Sequence, residues 1–341
     1  MEVEKKYKDI ATIKRRSEPS ERLMLPFSQL NWLINGVIFG SVLLLTSFTN
    51  AGKSTLATMF IESAIKQGYN CFGLWGEDSE EEAQERIFKQ HTPYSKDNME
   101  YISYYQNGKK TNTGEFILSE DKFNEARDFF RNSLFIWDNE IPPNKDNIID
   151  ILENARVKDN CRVFLLDNLE ILDFDTDNEN KGIKEIMVAI RRWAITNKTI
   201  IILVAHIRKI ERDIIRPDIF DVKGTNSVTN VCRNIITIIR TDNLDKNSKG
   251  YKNFSKVLQL NGYDIQELDA VLEVRKDKGN SLGFCGLKYN KYTNSYYEIE
   301  LKKNVDNTKN KTVLSIKDND VQTTTSFNNM TPIEDDGSLP F

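Results

Sequence analysis

Short apolar runs alternate with amphipathic stretches along the middle of the chain. Runs that are apolar at consecutive positions, rather than at every second one, are typical of strands covered on both faces. The amphipathic stretches between them predict helices, and this alternation is typical of an α/β fold with a mostly parallel sheet flanked by helices. The predicted strands are Ser41–Thr46, Asn70–Trp75, Ser133–Trp137, Arg162–Leu166, Thr199–Ala205 and Asn234–Ile239.

Further apolar runs follow at shorter spacing, with no helical pattern between them, and predict an antiparallel extension at one edge of the sheet. Upstream, apolar residues at helical spacing predict the buried face of one helix. Residues 94–114 carry no clear period and predict a loop. The edge strands are Ala270–Val274, Phe284–Tyr289 and Tyr296–Ile299, and the helix face consists of Ile183, Ile186, Met187, Ile190 and Trp193.

The pattern divides the chain into an arm, a domain and a tail. Residues 1–22 are mostly charged or polar and predict an arm or linker, whereas residues 23–301 carry the apolar pattern of the domain. Residues 302–341 are rich in Asn, Thr, Lys and Asp and poor in aliphatic side chains. Such a segment cannot bury enough apolar surface to offset the entropy of ordering, so we expect a disordered tail.

Composition excludes few classes of protein. The chain has 341 residues, with 47 basic against 51 acidic side chains and a net charge of -4, so a nucleic-acid site would have to be a local basic patch. The 4 cysteines are far apart and show neither metal-ligand spacing nor the density of a disulfide scaffold. Without a signal peptide or a transmembrane run, the sequence predicts a cytoplasmic protein that does not contact a membrane.

A phosphate-binding loop lies between the first long strand and a helical stretch. Such a loop needs backbone N–H groups that converge on phosphate oxygens, a lysine for the β and γ phosphates, and a hydroxyl for Mg²⁺. Serine stands where the pattern has its first glycine, and we expect this small residue to be tolerated. The sequence therefore predicts ATP and Mg²⁺ as ligands. The loop consists of Ser47, Phe48, Thr49, Asn50, Ala51, Gly52, Lys53, Ser54 and Thr55.

Acidic residues end two other predicted strands, at the edge where ligands bind in open α/β sheets. Asp167 is the candidate for holding Mg²⁺ together with Ser54. Glu77 is the candidate base that activates the attacking water, and its neighbour Asp78 is a rival for that role. Residues 80–82 are also acidic but begin a helix, where they complement the helix dipole.

His206 ends a further buried strand at the same edge. A lone histidine is usually structural. At this strand end, however, a polar side chain can sense the γ phosphate and relay its loss to the following loop. We therefore predict that His206 is a phosphate sensor.

The order of these motifs resembles the RecA-like ATPase domain of DnaB-type replicative helicases, including the helicase half of phage primase-helicases. The likeness runs from Leu25 to Ile299 and includes the lead-in segment 25–40, the Gly-Glu-Asp-Ser-Glu-Glu-Glu stretch at Glu77 and the sensor position at His206. This resemblance implies a RecA-like P-loop NTPase fold and favours Glu77 over Asp78 as the base. It also implies that copies of the chain form a hexameric ring that acts on single-stranded DNA.

The resemblance also implies roles for residues beyond the strand ends. The loop after His206 would grip the DNA backbone, which requires only Lys and Arg on a mobile segment. Lys276 and Lys278 stand where the family reaches into the neighbouring subunit's ATP site with a lysine and an arginine finger. Arg240 and Tyr289 match positions that sandwich the adenine. The basic residues of the loop are Arg208, Lys209, Arg212, Arg216 and Lys223.

The last residues join acidic side chains to a terminal Leu339-Pro340-Phe341. They resemble the carboxyl-terminal tip of bacterial single-stranded-DNA-binding proteins and predict a docking site for a replisome protein. Taken with the motifs above, the sequence predicts an ATP-dependent, ring-forming 5′ to 3′ DNA helicase of a phage or mobile element. Two alternatives stay open: a RecA-like recombination mediator or replication regulator that does not unwind DNA, and a nucleotide switch that does not bind it.

Overall fold

A computed structural model describes residues 10, 18–93, 95–106, 109–138, 143–144, 146–171, 179–208, 214–222, 226–277, 282–299, 315–317 and 320–322. The helices are α1 (Ser28–Ile34), α2 (Lys53–Lys66), α3 (Glu80–His91), α4 (Glu120–Phe130), α5 (Ile148–Lys158), α6 (Glu179–Asn197), α7 (Asn226–Val231) and α8 (Lys249–Leu260). The strands are β1 (Arg22–Leu23), β2 (Val37–Ile38), β3 (Ser41–Ser47), β4 (Asn70–Trp75), β5 (Met99–Gln106), β6 (Lys109–Leu118), β7 (Leu134–Ile136), β8 (Cys161–Asp167), β9 (Ile200–His206), β10 (Asn234–Arg240), β11 (Ala270–Lys276), β12 (Gly283–Asn290), β13 (Ser295–Glu298), β14 (Ser315–Lys317) and β15 (Asp320–Gln322).

A 9-stranded sheet with the order β13-β12-β11-β10-β3-β9-β8-β4-β7 forms the centre of the domain. From β10 to β7 every neighbouring pair is parallel, whereas β11, β12 and β13 are antiparallel to their neighbours. The predicted parallel sheet with an antiparallel extension at one edge is therefore confirmed, and each predicted strand is present to within two residues at its ends.

The two faces of the sheet belong to two apolar cores because side chains alternate along each strand. On β3, Leu43 and Leu45 pack into the core that contains Phe60 of α2, while Leu44 packs into the core that contains Ile190 of α6. Both faces are fully covered, which explains why the strands read as continuous apolar runs. The carboxyl ends of the strands remain as the open edge of the layer.

Helix α6 shows how amphipathic patterning places a helix on this sheet. Its 19 residues bury the stripe that the sequence predicted, and all the members of that stripe lie in the core beside β8 and β9. The opposite face carries charged residues such as Lys184 and Arg191, both exposed. Within the described residues, no helix is long and apolar enough to cross a membrane.

The prediction of a loop over residues 94–114 is wrong for most of that segment. Strands β5 and β6 pair as an antiparallel ribbon, with Met99 opposite Leu118 and Tyr101 opposite Phe116. Met99 and Leu118 are buried, but the two aromatic rings are half exposed and contact each other at a centroid distance of 5.1 Å. The ribbon stands apart from the main sheet, so it lacks the apolar run by which a buried strand is recognised.

The carboxyl-terminal segment is described only at β14 and β15, which pair as an antiparallel hairpin. The terminal Leu339–Phe341 lies outside the described residues. Disorder of the segment 302–341 stays a prediction.

Candidate active site

The polar residues that end the parallel strands meet at one edge of the sheet. Ser47 on β3 is the register neighbour of His206 on β9, and Trp75 on β4 is the neighbour of Asp167 on β8. A cavity of about 340 Å³ opens at this edge. It is lined by Thr49, Asn50, Ala51, Gly52, Lys53, Ser54, Thr55, Glu77, Asp78, Arg86, Asp167, His206, Arg240, Tyr289 and Tyr296.

The loop between β3 and α2 forms the floor of the cavity and holds a buried cation. Gly52 precedes α2 with φ of 86°, a left-handed conformation that favours glycine. The Lys53 side chain folds back, and its Nζ donates to the carbonyl oxygens of Phe48 at 2.8 Å and Ser47 at 3.4 Å. Burial lowers the pKa of Lys53 to about 8, although nearby carboxylates oppose the shift. A buried ammonium at a helix N-terminus is well placed to bind an anion.

Ser47 occupies the position where the loop pattern has glycine. Its hydroxyl donates to the carbonyl oxygen of Ile238 on the adjacent strand β10, and the residue is buried. The side chain therefore points into the sheet edge rather than into the cavity, so it leaves the floor of the cavity open.

Asp167 and Ser54 form a hydroxyl–carboxylate pair deep in the cavity. The Ser54 hydroxyl donates to Asp167, whose side chain is buried. Burial raises the pKa of Asp167, while the Ser54 hydrogen bond and the positive charge of Arg86 act in the opposite direction. Two oxygen ligands of this kind suit Mg²⁺, which takes one or two protein oxygens and completes its shell with water and phosphate.

Glu77 and Asp78 follow β4 but have different partners. The Asn168 side-chain amide donates to Glu77 Oε1, and the Glu77 side chain is 62% exposed. Asp78 instead forms an ion pair with Arg86 on α3. The Asp78 carboxylate is engaged by a cation, whereas the hydrogen-bond partner of Glu77 is a neutral amide and its side chain is open to solvent. The geometry therefore favours Glu77 over Asp78.

The acidic residues after Asp78 serve the helix, as their position predicts. Ser79 caps α3 by accepting from Glu82 N, and Glu82 accepts from Ser79 N at 2.8 Å, which makes a capping box. Glu80 and Glu81 lie in the same first turn, where negative charge complements the helix dipole.

His206 lies between two carboxylates at the end of β9. Its Nδ1 is 3.2 Å from Glu170 Oε1, and its Nε2 is 4.0 Å from Glu77 Oε1. The next residue, Ile207, pairs with Val222 in an isolated β-bridge. His206 thus contacts the candidate base on one side and adjoins, on the other, the segment predicted to bind DNA.

Arg240 and Tyr289, the predicted adenine sandwich, lie at the far side of the cavity and contact each other. The guanidinium carbon of Arg240 is 5.3 Å from the Tyr289 ring centroid, and Asp242 accepts from Arg240 Nε at 2.9 Å. An adenine ring inserted between the two side chains needs them to be about 7 Å apart, twice the usual contact distance, so one side chain would have to move. Tyr289 is fixed by its hydroxyl, which donates to Asn294 Oδ1 at 2.6 Å.

The predicted DNA-binding residues are only partly described. Arg208 is exposed at the start of the loop. Arg216, which the sequence groups with the DNA-binding cations, instead contacts the buried Glu273 on β11, with Nε 3.2 Å from Oε2. Glu273 also accepts from Arg275 at 2.9 Å, so Arg216 holds the loop to the sheet. Lys209, Arg212 and Lys223 lie outside the described residues.

Lys276, predicted to act on a neighbouring subunit, has a partner within its own chain. Its Nζ donates to the carbonyl oxygen of Thr229 on α7 at 2.6 Å. Lys278 lies outside the described residues. The structure therefore brings the phosphate loop, Glu77, Asp167 and His206 together. The role of Lys276 in the site of a second copy stays a prediction.

The sequence did not predict several residues that line the cavity or contact its lining residues. Asn168 and Glu170 directly follow Asp167, and this polar stretch was a usable signal. Arg86 lies one helix turn beyond the capping box, where a cation on the inner face could have been suspected. Tyr296 carries no local signal, because only the pairing of β10 to β13 brings it to the cavity.

Comparison with known proteins finds similarity in structure rather than in sequence. No protein-family model and no curated protein sequence matches the chain. The structure is similar to the ATPase domain of G40P, with a TM-score of 0.60 and 15% identity over 82% of this chain and 91% of that one. It is also similar to a DnaB-like replicative helicase, described with its interactions with primase, with a TM-score of 0.62 and 16% identity over 82% of this chain. The match spans 63% of the helicase chain.

A KaiC-like protein from the hyperthermophilic archaeon Pyrococcus horikoshii is similar as well, with a TM-score of 0.52 and 15% identity over 83% of this chain and 100% of that one. Identities this low show the fold alone. The chain has the RecA-like P-loop NTPase fold, and the likeness to the ATPase domain of DnaB-type helicases predicted from the sequence is confirmed at the level of the fold.

Proposed function

We propose that this chain hydrolyses ATP in the cavity at the carboxyl edge of its sheet. The observation that carries the proposal is the convergence of a buried lysine, a hydroxyl–carboxylate pair and an accessible glutamate on one cavity. These groups are Lys53, Ser54 with Asp167, and Glu77. A triphosphate needs a cation and N–H donors at a helix N-terminus, and the attack of water on its γ phosphate needs a base.

In this reaction Lys53 binds the β and γ phosphates, and Glu77 takes a proton from the attacking water. The Asn168 amide orients the Glu77 carboxylate without neutralising it. His206, close to both Glu77 and Glu170, is placed to respond when the γ phosphate leaves. The β-bridge from Ile207 to Val222 would carry that response into the following segment.

Ser54 and Asp167 would hold Mg²⁺. They fit this ion because a buried carboxylate next to a hydroxyl, with an open cavity in front of them, provides hard oxygen ligands. When bound, Mg²⁺ supplies neutralisation of charge on the β and γ phosphates.

We further propose that ATP hydrolysis drives a ring-forming, DnaB-like helicase that moves 5′ to 3′ on single-stranded DNA during replication, with a hexameric ring in the cytoplasm of a bacterial host. Structural similarity to helicase ATPase domains supports this reading. Arg208, Lys209, Arg212 and Lys223 would contact the DNA backbone.

The charges around the cavity favour a site shared between subunits. Among the described residues that line the cavity, Arg86 and Arg240 are cations, but each is paired with a carboxylate, Asp78 or Asp242. Lys53 therefore carries most of the free positive charge facing a triphosphate. A cation from a second copy, Lys276 or Lys278, would complete the site, and for Lys276 this requires release from Thr229.

One observation favours a second candidate function, a RecA-like ATPase that assembles on DNA without unwinding it. The Lys276 ammonium is bound within its own chain, and lysine lacks the bidentate fork of an arginine finger. A slow ATPase that serves as a recombination mediator or replication regulator would tolerate both features.

The experiment that tests these readings is ATP hydrolysis with and without single-stranded DNA, followed by strand displacement on a forked duplex. Stimulation by DNA together with displacement supports the helicase. Stimulation without displacement favours the mediator, and the lack of any stimulation favours the nucleotide switch. Lys53→Ala serves as the inactive control, and negative-stain images with an ATP analogue and DNA would reveal whether a closed ring forms.

We also propose that the terminal Leu339-Pro340-Phe341 binds a replisome protein of the host or phage. The support is the sequence alone, in which this apolar segment follows Glu334, Asp335 and Asp336. A chain that lacks these three residues should lose binding to the partner in a pull-down while its ATPase stays intact, and unchanged binding would reject the idea.

A further inference from the structure

Tyr296, on the antiparallel edge strand β13, reaches across the cavity to the phosphate loop. The residue is 3% exposed and lines the cavity. Its hydroxyl lies directly against Gly52, because a Cβ built on that glycine would be only 2.2 Å from Tyr296 Oη. This places a phenolic O–H at the N-terminus of α2, the part of the loop where phosphate oxygens bind.

The Tyr296 hydroxyl proton has no acceptor among the described residues. Oη is shielded from water and has no partner that meets hydrogen-bond geometry. The polar group beside it is the Arg240 guanidinium, which can only donate. Even a hydrogen bond from Arg240 would leave the Tyr296 O–H without an acceptor, and buried donors in native proteins are rarely left in that state.

The ring is held in this position by its surroundings rather than by the hydroxyl. The backbone N–H of Tyr296 donates to Met59 Sδ at 3.3 Å, and its ring packs on Tyr289 with a centroid distance of 5.1 Å. Asp242 fixes Arg240 from the other side. Two donors, the Tyr296 O–H and the Arg240 guanidinium, are thus adjacent at the phosphate loop.

We propose that Tyr296 donates a hydrogen bond to a phosphate oxygen of the bound nucleotide, with Arg240 as its neighbour in the same contact. The inference rests on the proposed function, since it assumes a nucleoside triphosphate in this cavity. An anion in the cavity attracts Arg240, and a small shift of that side chain opens Oη to the same anion. Tyr289, whose hydroxyl already donates to Asn294, would then contact the adenine base.

The variant that tests the inference is Tyr296→Phe, which removes only the hydroxyl. Calorimetry with a non-hydrolysable ATP analogue and with inorganic triphosphate should show binding weakened by about 10-fold or more, the usual value of a hydrogen bond to a charged acceptor. Adenosine binding should be unchanged. Tyr297→Phe, at the exposed neighbouring position on β13 outside the cavity lining, is the matched control, and its triphosphate affinity should match that of the wild type.

A second measurement is thermal unfolding without nucleotide. Because Tyr296→Phe removes a buried donor that has no acceptor, its unfolding midpoint should equal or exceed that of the wild type. A clearly lower midpoint would mean that the hydroxyl already has an acceptor in the free protein, which overturns the inference.

The remaining outcomes are also decisive. If Tyr296→Phe binds both the analogue and triphosphate with wild-type affinity, the assignment is overturned. It is also overturned if only the affinity for adenosine falls, because the hydroxyl would then contact the nucleoside. If the wild-type chain binds neither the analogue nor triphosphate, the proposed function itself fails, and that result is separate from any effect of the variant.

Discussion

The parallel and antiparallel parts of the sheet contribute to the cavity in different ways. The parallel strands β3, β4, β8 and β9 each end at or just before a candidate catalytic segment, and two contacts join these segments, Ser54 to Asp167 and His206 to Glu77. The antiparallel part contributes Tyr289, next to the end of β12, and Tyr296, next to the start of β13. Chemistry is therefore concentrated in the parallel half, and we infer that the antiparallel half adjusts how a nucleotide is held.

The largest effect should come from the parallel half. Glu77→Gln removes the base while keeping the Asn168 contact, and we expect the kcat of ATP hydrolysis to fall by about 10²- to 10⁴-fold. Affinity for an ATP analogue should be retained. Steady-state hydrolysis together with analogue binding measures both effects.

The control for Glu77→Gln is Asp78→Asn, which disturbs the ion pair with Arg86. Its kcat should change far less. Normal hydrolysis by Glu77→Gln, or an equal loss in Asp78→Asn, would contradict the assignment of the base.

The second effect is on stability and concerns the contact between the loop after His206 and strand β11. Arg216→Ala leaves the buried Glu273 with Arg275 alone, and we expect the free energy of unfolding to fall by about 2–3 kcal/mol. Chemical denaturation measures this. Arg208→Ala, at an exposed position, should change stability by less than about 0.5 kcal/mol and should weaken DNA binding instead. If Arg216→Ala keeps full stability and loses DNA binding, the structural role is wrong.

A stability effect of similar size is expected at Gly52, where the phosphate loop packs against Tyr296. Gly52→Ala places a Cβ against Tyr296 Oη and strains a residue with φ of 86°, so we expect a loss of about 2–4 kcal/mol in stability. Gly68 has nearly the same φ, 84°, but a Cβ there meets nothing within 4 Å. Gly68→Ala should therefore cost only about 1–2 kcal/mol. Equal losses would show that Tyr296 does not restrict the loop.

The smallest effect is a pH dependence of nucleotide binding. Burial lowers the pKa of Lys53 to about 8, against the pull of Asp167, Glu77 and Glu170. A bound phosphate favours the charged form and raises this pKa, so binding takes up protons and weakens as the pH rises through about 8. Affinity for an ATP analogue should fall about fourfold between about pH 7 and pH 8.5. Calorimetry measures the change, and Lys53→Arg, which does not titrate, should show a flatter profile.

The parts of the fold that could be predicted are those that depend on local pattern. β4 was predicted at its observed bounds because it is flanked by polar turns and buried on both faces. The ribbon of β5 and β6 was missed because its Tyr101 and Phe116 face solvent and it has no helix packed on each side. Arg216 was assigned to the DNA-binding group by its charge and its loop, whereas its partner Glu273 is far away in the chain.

The sequence by itself determined the phosphate loop and the polar residues that end the buried strands, because parallel strands put their carboxyl ends at one edge whatever their order. Only the tertiary structure decided which of those residues touch: Asn168 on Glu77, Arg86 on Asp78, and Tyr296 on Gly52. The reason is physical. Strand order, register and side-chain packing are set by contacts between distant segments, and no local period in the sequence encodes which of these segments become neighbours.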